Sequence, residues 1–264
     1  MIGLGSYSFF WQQSTQNPKP LSLIEAFTET AELGVLLFQI CDYPKIEQMT
    51  PAELESAANH AKKLALTIEL GTKGIEPARL KKYLELAKIF DAKLIRSMTY
   101  SQESRPSKQE AIEILQAEIT AFEKAGVVLA LETYEQISSQ DLVDIVAAVN
   151  SPNLGICLDP ANVVASLENP QRCVEICAPY VKNIHAKDFA FSRQEGWVGF
   201  TYSGAVMGEG LHDYPHLLSI VNPREHGINE IVEHWLPWQG TIEKSIAAEK
   251  QWTKTAIEYL RSTK

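Results

Sequence analysis

Four polar side chains stand where apolar runs stop. Val127-Val128-Leu129-Ala130-Leu131 ends on Glu132, Gly155-Ile156-Cys157-Leu158 on Asp159, Val181-Lys182-Asn183-Ile184 on His185, and Glu230-Ile231-Val232 on Glu233. Each run has the length and composition of a buried strand. Because strand residues alternate in direction, Glu132 shares a face with Ala130 and Val128, Asp159 with Cys157 and Gly155, and His185 with Asn183 and Val181. The other face takes Leu129, Leu131, Ile156, Leu158 and Ile184. Three carboxylates brought together without a counter-charge would cost several kcal/mol, about what a buried unpaired charge costs, so a divalent cation among them is the simplest resolution. The imidazole adds a fourth donor. An oxygen-rich set with one nitrogen suits Mn²⁺, with Co²⁺, Mg²⁺, Fe²⁺ or Zn²⁺ as alternatives, since affinity alone does not select among them. Singly, each carboxylate reads as a helix cap or a solvated turn residue; the coincidence of four successive strands carries the metal reading.

To bring these residues together the chain needs parallel strands that all end at one rim. Short apolar runs at 2–6, 36–40, 66–70, 93–98, 127–132, 155–159, 181–185 and 230–233 alternate with segments of helical period at 22–33, 76–90, 139–149, 170–178, 213–221 and 241–261. Two further helices announce their starts: Thr50, Pro51 and Glu53 supply a cap, a first-position proline and an acid at the third position, and Ser107 with Glu110 repeats the spacing. Strict alternation implies right-handed crossovers, and eight units close most readily into an α/β (β/α)8 TIM barrel, whose chemistry sits at the carboxyl ends of its strands. The rival, an open doubly wound sheet, is weakened because Gly5-Ser6-Tyr7-Ser8-Phe9-Phe10 lacks a glycine-rich phosphate-binding run. At 264 residues the chain is expected to be a single barrel domain spanning 1–264.

The bulk numbers exclude other classes. A net charge of −9, with lysine and arginine dispersed, disfavours nucleic acid as a partner. No apolar stretch approaches the roughly 20 residues of a membrane helix and the start lacks a signal-peptide pattern, so no membrane association and a cytoplasmic location are expected. Cys41, Cys157, Cys173 and Cys177 are too scattered for a disulfide framework, and Cys173 with Cys177 lack the further soft ligands of a zinc site.

Taken in order, Leu129-Ala130-Leu131-Glu132, Gly155-Ile156-Cys157-Leu158-Asp159-Pro160-Ala161-Asn162, Asn183-Ile184-His185-Ala186-Lys187-Asp188, Gly208-Glu209-Gly210 and Glu233 resemble the xylose isomerase-like barrels. That group includes ketose 3-epimerases, hydroxypyruvate isomerase, inosose dehydratase and type IV apurinic endonucleases, and the similarity spans the whole chain. The resemblance implies that Glu132, Asp159, His185 and Glu233 hold the metal, that Glu132 and Glu233 move the proton, and that the assembly is a homo-dimer or tetramer. Many members carry histidines where this chain has Tyr134 and Asn162. Those swaps remove ligands of a multinuclear site and argue against the endonuclease branch.

The activity expected from this reading is isomerisation or epimerisation of a small ketose or sugar phosphate. A cation bridging a carbonyl and its neighbouring hydroxyl acidifies the adjacent C–H, and paired carboxylates remove and return the proton through an enediolate. Lys187, on the inward face with His185, is placed to stabilise that charge. A metal-dependent lyase or dehydratase begins with the same proton abstraction, and a non-catalytic sugar-binding barrel is the third reading. Tyr7, Glu69, Arg96, Asn162, Lys187 and Arg193 are candidate substrate contacts at the mouth, with Phe10 offering a stacking face. Trp197, Trp235 and Trp238 follow the last two strands, and residues 186–212 form the longest stretch without a pattern, a candidate lid.

Overall fold

A computed structural model describes residues 1–263. Ten strands are present among them: β1 (Ile2–Gly5), β2 (Leu37–Ile40), β3 (Thr67–Gly71), β4 (Leu94–Ser97), β5 (Val128–Glu132), β6 (Leu154–Leu158), β7 (Val181–Ala186), β8 (Asp188–Arg193), β9 (Phe200–Ala205) and β10 (Asn229–Val232). Eight of them pair in parallel and close as β1-β10-β7-β6-β5-β4-β3-β2, so the chain is a TIM barrel. β8 and β9 stand apart as an antiparallel hairpin. The barrel strands begin and end within one residue of the apolar runs.

The strand alternation divides the apolar residues between two regions. Leu4, Phe38, Ile40, Ile68, Leu70, Ile95, Leu129, Leu131, Ile156, Leu158 and Ile184 face outward and pack under the helices in one continuous core. Inside the barrel a small cluster of Leu94, Ala130 and Cys157 is separate from it. Much of the remaining interior is polar: Gln39, Glu69, Arg96 and Asn183 are all buried. Gly3 shows how tight the interior is, since a Cβ there would stand 2.6 Å from Leu37 and 2.9 Å from Ile231.

Helix ends follow the capping signals. Ser22, Thr50 and Ser107 each accept from the backbone three residues on, while Glu25, Glu53 and Glu110 reach back to complete reciprocal capping boxes. Pro51 occupies the first turn of Pro51–Lys63, and Gly126, at φ +63°, ends Lys108–Ala125. These ends fix how each helix returns the chain to the next strand. No helix among the described residues is long and apolar enough to cross a membrane.

Much of the stretch 186–212, which has no pattern in the sequence, forms a hairpin. β8 and β9 pair residue for residue from Asp188 with Ala205 to Arg193 with Phe200. Asp188 anchors the base: its carboxylate accepts from the backbone of Gly208, Gly210 and His212 at 2.9 Å each. Gly210 is required there, because a Cβ would fall 2.2 Å from the Asp188 carboxylate. Tyr202 ties the hairpin to the barrel by donating to the Ala161 carbonyl at 2.6 Å.

Replacing Ser107 with Ala removes a cap from the helix joining β4 to β5 and is expected to cost about 1 kcal/mol in urea unfolding. An unchanged midpoint would show that water serves the helix end equally well.

Candidate metal centre

β5, β6, β7 and β10 are neighbours around the barrel, so their carboxyl ends meet at one sector of the rim. Glu132 closes β5, Asp159 and Glu233 follow β6 and β10 directly, and His185 lies one residue before the end of β7. One ligand atom from each of the four lies within 4.8 Å of every other, and all four side chains are buried. Donors on one cation, at bonds of about 2.0 to 2.6 Å, cannot be more than about 4 to 5 Å apart. The set therefore can hold a metal ion. Asp159 Oδ1 and Glu233 Oε1 are buried with no hydrogen-bond partner among the described residues, the condition a cation would relieve.

His185 Nδ1 is the centre of the cluster, 3.2 Å from Glu132, 3.4 Å from Glu233 and 3.6 Å from Asp159. Burial works against an imidazolium, yet Cys157, Glu233 and Glu132 together hold the His185 pKa well above its ordinary value. Two cationic side chains border the carboxylates. Arg96 pairs with Glu132, lies 3.8 Å from Asp42 and donates to the Thr72 carbonyl at 3.1 Å. Lys187 Nζ is 2.6 Å from Asp159 and 3.1 Å from Glu233, with the Trp235 ring centroid at 4.3 Å. Burial pushes the Glu132 carboxyl up, but Arg96 and His185 outweigh it and hold it below its usual range. At Asp159 burial is outweighed in the same way by Lys187 and His185.

The two ends of the glutamate pair differ. Glu132 also accepts from Asn162 at 3.0 Å, so the Asn162 amide braces that carboxylate. Glu233 shares one oxygen with Lys187 and keeps the other unpartnered among the described residues. Thr133 steadies Asp159 from behind, its hydroxyl donating to the Asp159 carbonyl and accepting from its amide.

Beside the cluster, Tyr7, Phe10, Trp11, His234, Trp235 and Leu236 line a cavity of about 270 Å³. Tyr7 stacks on Phe10 at 5.9 Å, and its hydroxyl is held well above the ordinary phenol range by burial and by the charges of Asp42 and Glu233. A larger hollow of about 790 Å³ opens at the opposite end of the barrel, lined by Thr67, Lys93, His226 and Asn229, away from the four candidate ligands.

Two of the candidate substrate contacts need correction. Glu69 does not reach the mouth: it sits in mid-strand, buried among Gln39, Asn183 and Asn229. Arg193 is at the exposed end of the β8–β9 hairpin, its guanidinium 4.3 Å over Phe200 and 5.8 Å over Trp197. Trp197 is 78% exposed at that same tip, and Trp238 packs on Trp11 at the surface. Sequence reasoning missed Gln39 and Asp42. A glutamine inside the run Leu37-Phe38-Gln39-Ile40 was the available signal, since a buried strand admits one only with partners.

A family model described as xylose isomerase-like TIM barrel matches residues 27–263. The chain is 47% identical over 259 residues to 3-oxo-isoapionate decarboxylase of Pectobacterium atrosepticum, a match covering 98% of this chain and 94% of that protein. Among solved structures, D-psicose 3-epimerase of Clostridium cellulolyticum H10 with D-tagatose superimposes with a TM-score of 0.75 at 14% identity, over 99% of this chain and 98% of the other. A xylose isomerase-like TIM barrel protein of Mycobacterium smegmatis in complex with magnesium gives 0.70 at 13%, over 97% and 96%. At these identities the structural likenesses speak for the fold.

Because His185 must lose a proton before Nδ1 can bind a cation, metal uptake is expected to release about one proton. Calorimetry of Mn²⁺ binding in buffers of differing ionisation enthalpy measures it. Apparent affinity should fall about tenfold per unit as pH drops below the raised His185 value, and a pH-independent affinity would show that the imidazole is not a ligand.

Proposed function

The chain belongs to the xylose isomerase-like TIM barrel family, and we propose that it is a metal-dependent sugar-modifying enzyme that decarboxylates a 3-oxo sugar acid. Glu132, Asp159, His185 and Glu233 hold the cation in this reading. The observation that carries it is the asymmetry of the two glutamates. Glu132 is clamped by Arg96 and Asn162 and held in its charged form, which makes it a poor base. Glu233 has one free oxygen and a lysine on the other. Epimerisation by two opposed carboxylates needs two mobile protons; decarboxylation of a 3-oxo acid needs one. The 47% identical relative, a 3-oxo-isoapionate decarboxylase, supports the same choice.

When bound, the cation supplies Lewis-acid polarisation of the 3-oxo group and charge stabilisation as the C–C bond to the carboxylate breaks. The bond's electron pair moves toward the carbonyl to give an enolate, and carbon dioxide leaves. Lys187 and Arg96 add fixed positive charge beside that oxygen, within a water-poor site where such charges act strongly. Glu233 is placed to deliver a proton to the enolate carbon, and Lys187, 3.1 Å from it, can pass on the next. Trp235, Tyr7 and Phe10 line the cavity beside the centre and offer the substrate an apolar wall.

An isomerase or epimerase would use the same centre with Glu132 and Glu233 as partners, both lying within 3.4 Å of His185 Nδ1. Mn²⁺ remains the ion proposed for an oxygen-rich set with one imidazole, with Mg²⁺ and Zn²⁺ as alternatives that neighbours of this fold carry.

The test is stoichiometric carbon dioxide release from 3-oxo-isoapionate by the Mn²⁺-loaded protein, beside a panel of ketoses in D₂O. Release with no deuterium entering the ketoses is expected; deuterium exchange without release would transfer the enzyme to the isomerases. Glu233→Gln should lower kcat about 10²- to 10⁴-fold, the range for losing a general acid. Near wild-type turnover in that variant would assign the proton to another group.

A further inference from the structure

Below the four candidate ligands the barrel interior is filled by amides that end on one carboxylate. His185 Nε2 lies 2.9 Å from Gln39 Oε1. Gln39 Nε2 donates to Glu69 Oε2 and to Asn183 Oδ1, both at 3.1 Å. Asn183 Nδ2 donates to the same Glu69 oxygen at 2.9 Å, and Asn229 Nδ2 donates to Glu69 Oε1 at 2.6 Å. Gln39, Asn183 and His185 are fully enclosed, and Glu69 is 2% exposed.

A carboxylate only accepts, whereas an amide can be turned either way. With Glu69 at the end of the chain, the NH₂ groups of Gln39 and Asn183 must face it. The Gln39 carbonyl must then face the imidazole, and the ring nitrogen there must carry the hydrogen. When the ring is neutral, as a metal ligand must be, that leaves the lone pair on Nδ1, the nitrogen surrounded by Glu132, Glu233 and Asp159. Glu69 has no cationic partner among the ion pairs of the described residues, so its burial is met by amide donors alone.

We infer that Glu69 is a positioning residue: acting through Gln39, it fixes His185 in the Nε2–H tautomer and so makes Nδ1 the nitrogen offered to the metal. This rests on the four-residue centre proposed above. It does not depend on which sugar acid is turned over.

The tautomer can be read without any substitution. In ¹⁵N-histidine-labelled protein loaded with Zn²⁺, long-range ¹H–¹⁵N correlations should show His185 protonated at Nε2, the signal being assigned by its loss in His185→Asn. Protonation at Nδ1 would overturn the inference. Glu69→Gln, which keeps the shape but lets the amides run either way, and Gln39→Met, which breaks the link, should each weaken Zn²⁺ binding about 10- to 100-fold, as loss of a ligand's outer partner does. A chelator competition measures this, with metal-free thermal unfolding run alongside to separate lost binding from lost folding. Unchanged Zn²⁺ affinity in both variants would overturn the inference alone. A wild-type protein that binds no Zn²⁺ would overturn the metal centre itself.

Discussion

The convergence of three buried carboxylates on one imidazole is the constraint around which the rest of the barrel is arranged. Like charges enclosed together are strongly unfavourable, and the structure answers with a cation on each flank: Arg96 on Glu132 and Lys187 between Asp159 and Glu233. Once His185 has given up its proton, two cations against three carboxylates leave the cluster negative, with Asp42 adding to the excess beside Arg96. A divalent ion at the centre offsets that remainder, and Asp159 Oδ1, without a hydrogen-bond partner among the described residues, is where one of its bonds would go. The barrel is suited to this because parallel strands bring their ends to one rim, and four neighbouring strands here deliver one donor each.

The same electrostatics set the chemistry. Arg96 and Asn162 both contact Glu132, and in the proposed reaction that carboxylate holds the ion while Glu233 exchanges the proton. Lys187 serves both demands, since it neutralises Asp159 while remaining in contact with Glu233. Its position against Trp235 keeps its charge at the mouth, where an enolate oxygen would need it.

Much of the framework was legible in the residues. Apolar runs marked the barrel strands because a strand covered on both faces cannot tolerate polar interruptions, and the residues ending β5, β6, β7 and β10 stood out for the same reason. Parity showed which side chains point inward but not how deep they lie. Glu69 was inward, as expected, yet its place in mid-strand puts it in the barrel interior instead of at the rim. Arg193 was misplaced because the β8–β9 hairpin went unread. Its signal was present in Phe189 and Phe191 facing Tyr202, an aromatic at every second position, but the turn from Gln194 to Gly199 masked it. Gln39 was passed over because a single amide in a strand looks neutral until its partners, 30 to 146 residues away, are assembled around it.

The central claim is that one ion joins Glu132, Asp159, His185 and Glu233. Anomalous diffraction at the manganese edge, from crystals grown with Mn²⁺, tests it directly. The account predicts a single strong peak bonded to all four side chains at about 2.0 to 2.6 Å, with His185 contributing Nδ1. A peak lying elsewhere in the barrel, or one that leaves any two of the four side chains uncoordinated, would contradict it.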